Sequence, residues 1–361
     1  MIDTKKELAV VVLFWNDSEK TIRCLDSLFK QKKQKLTVVL VDNNSESKYI
    51  TNISKWFKKK NIKKVLVNKK KIDKKYFASK KICVYLKNKS NYGCGLGHNF
   101  GYKFCLENDF EFIARIDNDM VVPKLVMHNL VKRMKKNRNI NALSPKIMFY
   151  NKPNMVWFRG AEIGNNLKFQ RNCGSYSPKG HKDDKSFRGL IQTDAVAGCA
   201  SIMKASRLRK TSLSDPDFFY GEEDTELSQR LKDSSESLKV DLNQKIFHNV
   251  SSTVGKNWGK NIYYNYKYRL VLVKKIGTFS DKLFGYSIPV FKLIVSLFLI
   301  FRLGHSSKIL QKYYALKHFF QKKYGYYDRI NYSKVDKFFY NINKKTDLNQ
   351  LLKKINNNYK L

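Results

Sequence analysis

Two stretches, "LAVVVLF" (8–14) and "LTVVLVD" (36–42), constrain the fold of this chain more than any other feature. Each is a continuous apolar, β-branched run bounded by polar residues. That is the pattern of a strand covered on both faces, as in a parallel sheet between layers of helices. Between them, "SEKTIRCLDSLFKQ" sets Ile22, Leu25, Leu28 and Phe29 on one helical stripe, with Asp17 or Ser18 as cap. Strand, helix and strand make a βαβ unit, whose right-handed crossover brings both strand ends to the same edge. A helix over 50–59, strands at "KVLV" and "KICVYL", a helix over 98–107 and the strand "FEFIARI" continue the alternation. The chain up to about residue 150 is expected to form an open α/β sheet.

Ligands of such sheets bind beyond the carboxyl ends of the strands. The polar residues at those ends are Asn16 and Asp17, then 42–45, 88–91 and 117–119, so all four sets should face one crevice. In "ARIDNDMVV", Asp117 and Asp119 stand two apart after a buried strand, a spacing that lets hard oxygen ligands share Mg or Mn on a diphosphate. A solvated turn is the competing reading of "DND". "NKSNYGCGLGHNFGYKF" carries glycines at 93, 95, 97 and 101, where backbone could approach a phosphate or sugar before a helix starts. A dinucleotide fingerprint would place such glycines after the first strand, where this chain has "FWNDS", so hydride transfer is disfavoured. "GEEDTE" offers a general base, against the alternative that acids only cap a helix, and His248 ends a later strand where an imidazole could complete a metal shell.

Taken in order, "VVVLFWND", "TIRCLDSL", "VVLVDNNS", "NYGCGLGHNFG", "ARIDNDMVV", "VWFRGAEIG", "TDAVAGCASIMKAS", "FFYGEEDTELSQRL", "FHNVSS" and "YYNYKYRLVLVKK" resemble the family 2 glycosyltransferases, especially their rhamnosyltransferase-like branch. The resemblance spans about residues 7 to 275 and implies a GT-A-type open, mostly parallel sheet flanked by helices; the change to apolar and then Lys-, Tyr- and Phe-rich sequence after about 271 adds the expectation of a helical C-terminal tail. It implies an inverting, metal-dependent transfer of a sugar from a nucleoside diphosphate to a hydroxyl of a glycan or lipid-linked acceptor. Rhamnose, galactofuranose or another hexose would be the sugar. Carried over position by position, Asp224 matches the catalytic base, while Asn16, Asp42, Asn44, Asn91, Gly93, Asp117 and Asn118 match the donor site. Asp119, Asp117 and His248 match the surroundings of a Mg or Mn ion. Gly160, Gly198, Glu223 and Arg269 match donor and acceptor walls. Glu226 stands where the family usually has Asp, Glu222 leaves the acidic register ambiguous by one, and Leu270 replaces an Asn that often follows the Arg.

The chain carries 71 Lys and Arg against 30 Asp and Glu, a formal charge of +41. The lysines are spread through every segment, which favours anionic ligands or anionic lipid in general over a specific nucleic-acid partner. A nucleotidyltransferase would need a Gly-rich, basic phosphate loop after its first strand, and "FWNDS" is not one. Six cysteines, Cys173 among them, form no CxxC pair, as expected of reduced thiols in the cytoplasm. The N-terminal apolar run is too short for a signal peptide. A catalytic domain over 1–270 is expected, then a basic and apolar helical region over 271–361. Its segment from Ile288 to Phe301, broken by Pro289 and Lys292, is too short to span a bilayer. The expectation is an interfacial helix on the anionic inner face of the plasma membrane, with packing on the catalytic domain or a homodimer contact as alternatives.

Overall fold

A computed structural model describes residues 6–66, 82–163, 181–249, 258–298 and 306–324. By its internal contacts the chain forms two compact units, Met1–Ser252 and Thr253–Leu361. Residue 270 lies inside a helix of the second unit.

The first unit opens with β1 (Lys6–Phe14), α1 (Ser18–Phe29) and β2 (Leu36–Asp42), paired in parallel from Leu8↔Leu36 to Phe14↔Asp42. Then come α2 (Ser47–Lys59), β3 (Lys63–Leu66), β4 (Ile82–Lys87), α3 (Gly93–Glu107) and β5 (Phe110–Ile116). β1 alternates as a two-faced strand must. Leu8, Val10, Val12 and Phe14 enter a core with Leu25 and Leu28 of α1 and Ile53 and Phe57 of α2. Ala9 and Val11 enter a second core with Tyr102 and Cys105 of α3. Each of the Val, Leu, Ile and Phe side chains among them contributes about 1.5–3 kcal/mol relative to exposure.

β6 (Met120–Val121), α4 (Val126–Lys136), β7 (Ala142–Phe149), β8 (Met155–Phe158), β9 (His181–Lys182) and β10 (Leu190–Gln192) follow. They lead to β11 (Ala200–Lys204), α5 (Ala205–Thr211), α6 (Glu223–Leu231) and β12 (Leu238–His248). Among the described residues one mixed sheet runs β10-β12-β7-β11-β5-β1-β2-β4-β3. β3, β4, β2, β1 and β5 are mutually parallel, so their carboxyl ends share an edge, and β11 then runs antiparallel between β5 and β7.

α3 departs from expectation. It starts at Gly93, five residues before the expected start, and the glycines lie inside it. A Cβ on Gly101 would sit 2.3 Å from Val11 Cγ1 and one on Gly97 2.8 Å from Leu13 Cδ2, so these glycines let the helix lie close on β1. The approach they permit is to protein. β7, unassigned in the sequence reading, contains Pro145, which cannot donate to a ladder. Its partner β12 shifts register between Asp241, opposite Pro145, and Lys245, opposite Lys146.

The second unit contains α7 (Trp258–Ile276), α8 (Phe279–Phe298) and α9 (Ser306–Phe320). α8 seats Gly285 on Val273 of α7, and Tyr286 meets Phe319 of α9 with ring centroids 5.4 Å apart. Residues 299–303 of the expected tail helix, and Cys173, lie outside the described residues.

Candidate active site

The loop after β1 is tied to the loop after β2. Asn16, in the left-handed region at φ 52°, accepts from the Glu46 N–H at 2.8 Å and donates its own N–H to Ser45 Oγ at 3.1 Å. Asp42 is fully buried, its two oxygens accepting the Ser45 N–H and the Tyr85 hydroxyl, both at 2.8 Å. Asn44 is exposed beside it. Asn91 Oδ1 accepts from Asn43 Nδ2 at 2.8 Å and from the Gly93 N–H at 2.9 Å, and Asn88 donates to Asn43 at 2.9 Å. Backbone groups at these strand ends thus find partners in short Asn side chains, Asn43 on the Gly93 carbonyl and Asn91 on its N–H, as buried backbone polar groups must. Gly93, at φ 79°, presses on Phe219, whose carbonyl accepts the Cys94 N–H at 2.6 Å.

β5 delivers the acidic pair. Asn118 between them donates to Thr21 Oγ1 at 3.0 Å. β6 pairs with β12 in the register His248↔Met120, which sets His248 Nε2 3.2 Å from Asp119 Oδ1. The contact is close but not aligned as a hydrogen bond, and Asp119 Oδ1 is out of reach of solvent. Burial works against a charged His248, yet Cys199 and Asp119 beside it outweigh that and hold its pKa well above the usual range. Trp157 and the imidazole meet edge-to-face with ring centroids 4.8 Å apart. Asp117 contacts other partners, 3.5 Å from Arg115 Nε and 3.8 Å from His98 Nε2, while remaining near enough to Asp119 and His248 to feel their charges. Burial pushes it up to about 6, against the pull of Arg115. The expected metal trio therefore separates into the pair Asp119–His248 and a carboxylate held by Arg115. Among the described residues no three His, Cys, Asp or Glu side chains converge as a metal cage.

β11 and α6 complete the edge. The Asp117 N–H donates to Cys199 O at 2.9 Å, which brings Gly198 alongside. Gly198 N–H donates to Asp224 Oδ2 at 2.9 Å, and a Cβ on Gly198 would sit 2.5 Å from that oxygen. Thr225 N–H holds Oδ1 at 2.9 Å. Burial, then Glu223, push Asp224 up to about 7, although Arg115 opposes. Glu223 itself is buried and takes the Arg115 guanidinium at 3.0 Å, so one cation joins the strand of the acidic pair to the helix of Asp224.

Arg115 was missed from the sequence, and a charged residue inside the apolar run "FIARI" was the signal that could have found it. Its NH2 also donates to Cys94 Sγ at 3.0 Å. His98 is a further buried member: its Nδ1–H donates to Cys94 O at 2.8 Å, and burial, then Arg115, hold it well below the usual range, hence neutral. Gly160, at φ 129°, is buried with its nearest neighbour Ile191 on β10, and Arg269 stands on α7 in the second unit. A cavity of about 760 Å³ opens at the other edge of the sheet, between Phe110, Lys135, Arg138, Lys204 and Arg209. It lies at the start of β5, away from the converging strand ends, so volume does not locate this site.

A mixed sheet built on parallel crossovers, with acids gathered where the crossovers meet, defines the chain as a GT-A-type α/β protein. The chain belongs to glycosyl transferase family 2, whose family model matches residues 9–207. No curated protein matches the sequence. Among solved structures, the crystal structure of S. aureus TarS is similar with a TM-score of 0.50 at 14% identity, over 88% of this chain and 49% of that one. A structure of S. aureus TarS 1–349 gives 0.48 at 13%, over 90% and 94%. GalNAc-T7 with UDP, GalNAc and Mn2+ gives 0.48 at 15%, over 74% and 51%. The chain spans about half the length of the first TarS chain and of the GalNAc-T7 chain. At 14% identity the likeness to the first TarS structure is one of fold.

Proposed function

We propose that this chain is an inverting glycosyltransferase that moves a sugar from a nucleoside diphosphate to a hydroxyl of a glycan or lipid-linked acceptor. The acceptor would be presented at an anionic membrane face, which places the protein peripherally on it. The observation that carries the reading is Asp224. Its carboxylate is held in place by two backbone N–H groups and pushed up to about 7, where a general base working near neutral pH is most effective. Asp224 takes the acceptor hydroxyl proton as that oxygen bonds to the anomeric carbon, and the bond from that carbon to the diphosphate breaks. The products are the glycoside and the nucleoside diphosphate. The strand-end residues Asn16, Asn44, Asn91 and Asn118 position the donor, and Asp117 lines its diphosphate end. Asp42 keeps acceptor sites beyond its Ser45 and Tyr85 bonds, but it is fully buried and would reach the donor only if the loop above it opens.

Asp119 and His248 are the pair that would hold a Mg or Mn ion, the imidazole giving up its raised proton as the ion binds. One carboxylate oxygen, hidden and without an aligned partner, faces a ring nitrogen, and such ions complete their shells with water and substrate phosphates. Bound there, the ion would neutralise charge on the leaving diphosphate. Asp224→Asn should lower kcat by at least about a thousandfold while calorimetric nucleoside-diphosphate binding changes less than about twofold. In the unchanged protein kcat/KM should fall tenfold per pH unit below about 7, as Asp224 takes up a proton. Retained turnover in the Asn variant removes Asp224 from the role. dTDP-rhamnose is the first donor to assay and UDP-galactofuranose the second, each with and without EDTA.

A further inference from the structure

The outer face of α8 inverts the usual polarity of a surface helix. Phe279, Leu283, Phe284, Phe291, Ile294 and Val295 are exposed and recur at helical spacing, with Phe279 84%, Leu283 56% and Phe291 66% exposed. The inward face carries Asp281, Gly285 and Leu293. Apolar residues exposed singly are ordinary, but a continuous stripe of them marks a contact surface.

Charge selects the occupant. Residues 253–361 contain 22 Lys and Arg against 4 Asp and no Glu. Lys274 and Lys275 are exposed just before the stripe, and Lys282 lies within it, half-buried. A second copy would bring the same positive charge to a self-complementary face, whereas anionic headgroups attract it. From Phe279 to Val295 the stripe is about 24 Å long at 1.5 Å per residue, enough for a helix lying in the interface plane. Among the described residues no helix is long and apolar enough to cross a membrane.

We propose that the outer face of α8 is the surface that docks this protein on an anionic lipid membrane, its apolar stripe seated among acyl chains and the flanking lysines on headgroup phosphates. This deepens the membrane placement proposed above by naming the surface that makes it. The test is co-sedimentation of the full chain with vesicles of phosphatidylcholine alone or mixed with phosphatidylglycerol. The wild type should partition to the mixed vesicles, less so as salt rises. The triple variant Phe279→Gln, Leu283→Gln, Phe291→Gln, changed only at exposed positions, should partition at least about tenfold less. Equal binding by the triple variant, no binding by the wild type, or a doubled solution mass that the variant abolishes in place of vesicle binding would each overturn the proposal. If only the transferase reading is wrong, vesicle binding persists. If only the docking surface is wrong, turnover on a water-soluble acceptor without vesicles persists.

Discussion

At the scale of single residues, the site turns on Arg115. Both Arg115 and Glu223 are buried, and the guanidinium also leans on Asp117. Breaking a buried pair from one side strands the other charge, a cost of about 3–5 kcal/mol, whereas replacing both by apolar groups is often nearly neutral. Arg115→Met should therefore destabilise the protein by about that amount in urea unfolding, and adding Glu223→Met should restore most of it. Two additive losses would mean that the pair contributes no mutual compensation. The same residue marks the limit of what the sequence made legible. Asp117, Asp119, Asp224 and His248 could be picked out because their residue types and strand-end places announce chemistry. Arg115 could be seen to need a partner, but Glu223 lies 108 positions away, and no local pattern connects them. Nor could the sequence say that Asp117 would turn toward Arg115 and leave Asp119 with His248, because that choice depends on the register of β6 against β12.

At the scale of elements, the parallel half of the sheet was legible because β1, β2 and β5 are buried on both faces and therefore read as unbroken apolar runs. β7 was not, since Pro145 argues against a strand until the bulge opposite it is known. The antiparallel return of β11 was equally hidden, because small residues such as those of "AVAGCAS" fit a turn or a strand alike. The start of α3 was misplaced for a related reason: glycine weakens a helix by about 1 kcal/mol, and here contact outweighs that preference. These glycines make a graded prediction. Gly101→Ala should cost about 1–3 kcal/mol by pushing Val11 into a packed core. Gly93→Ala should cost more, because a Cβ there meets the Phe219 carbonyl at 2.1 Å and the φ of 79° is itself unfavourable. Gly189→Ala, at φ 87° with open space around it, should cost only about 1 kcal/mol. Chemical denaturation of the three variants checks the order, and a Gly189 variant as damaged as the Gly93 one would refute the packing explanation.

At the scale of the whole molecule, a basic chain with two compact units keeps a buried ionisable group of opposite sign in each. Asp224 in the first unit is raised, and Lys267 in the second is lowered. Lys267 has no exposed surface, donates to Tyr263 Oη at 3.0 Å, and has its ammonium within 4.6, 5.5 and 4.7 Å of the ring centroids of Tyr263, Tyr264 and Tyr268. Tyr263 Oη in turn lies 2.7 Å from His318 Nδ1, and burial, then Lys267, hold His318 below its usual range. Burial pushes Lys267 down to about 7, and the ring faces, which attract a cation, resist the shift. The unfolded chain keeps that proton up to an ordinary lysine pKa of about 10.4, so between pH 7 and 10 it binds more protons than the folded chain. Stability must then rise with pH across that window, reach its full value above it, and be lost as pH falls through 7. The amplitude is on the order of 4 kcal/mol, less whatever the rings return. Lys267→Met, which keeps an apolar stem in the tyrosine cage, should raise Tm at pH 7 and flatten its climb from pH 7 to 10. A variant whose Tm tracks the wild type in parallel across that range would show that Lys267 is not the group that titrates.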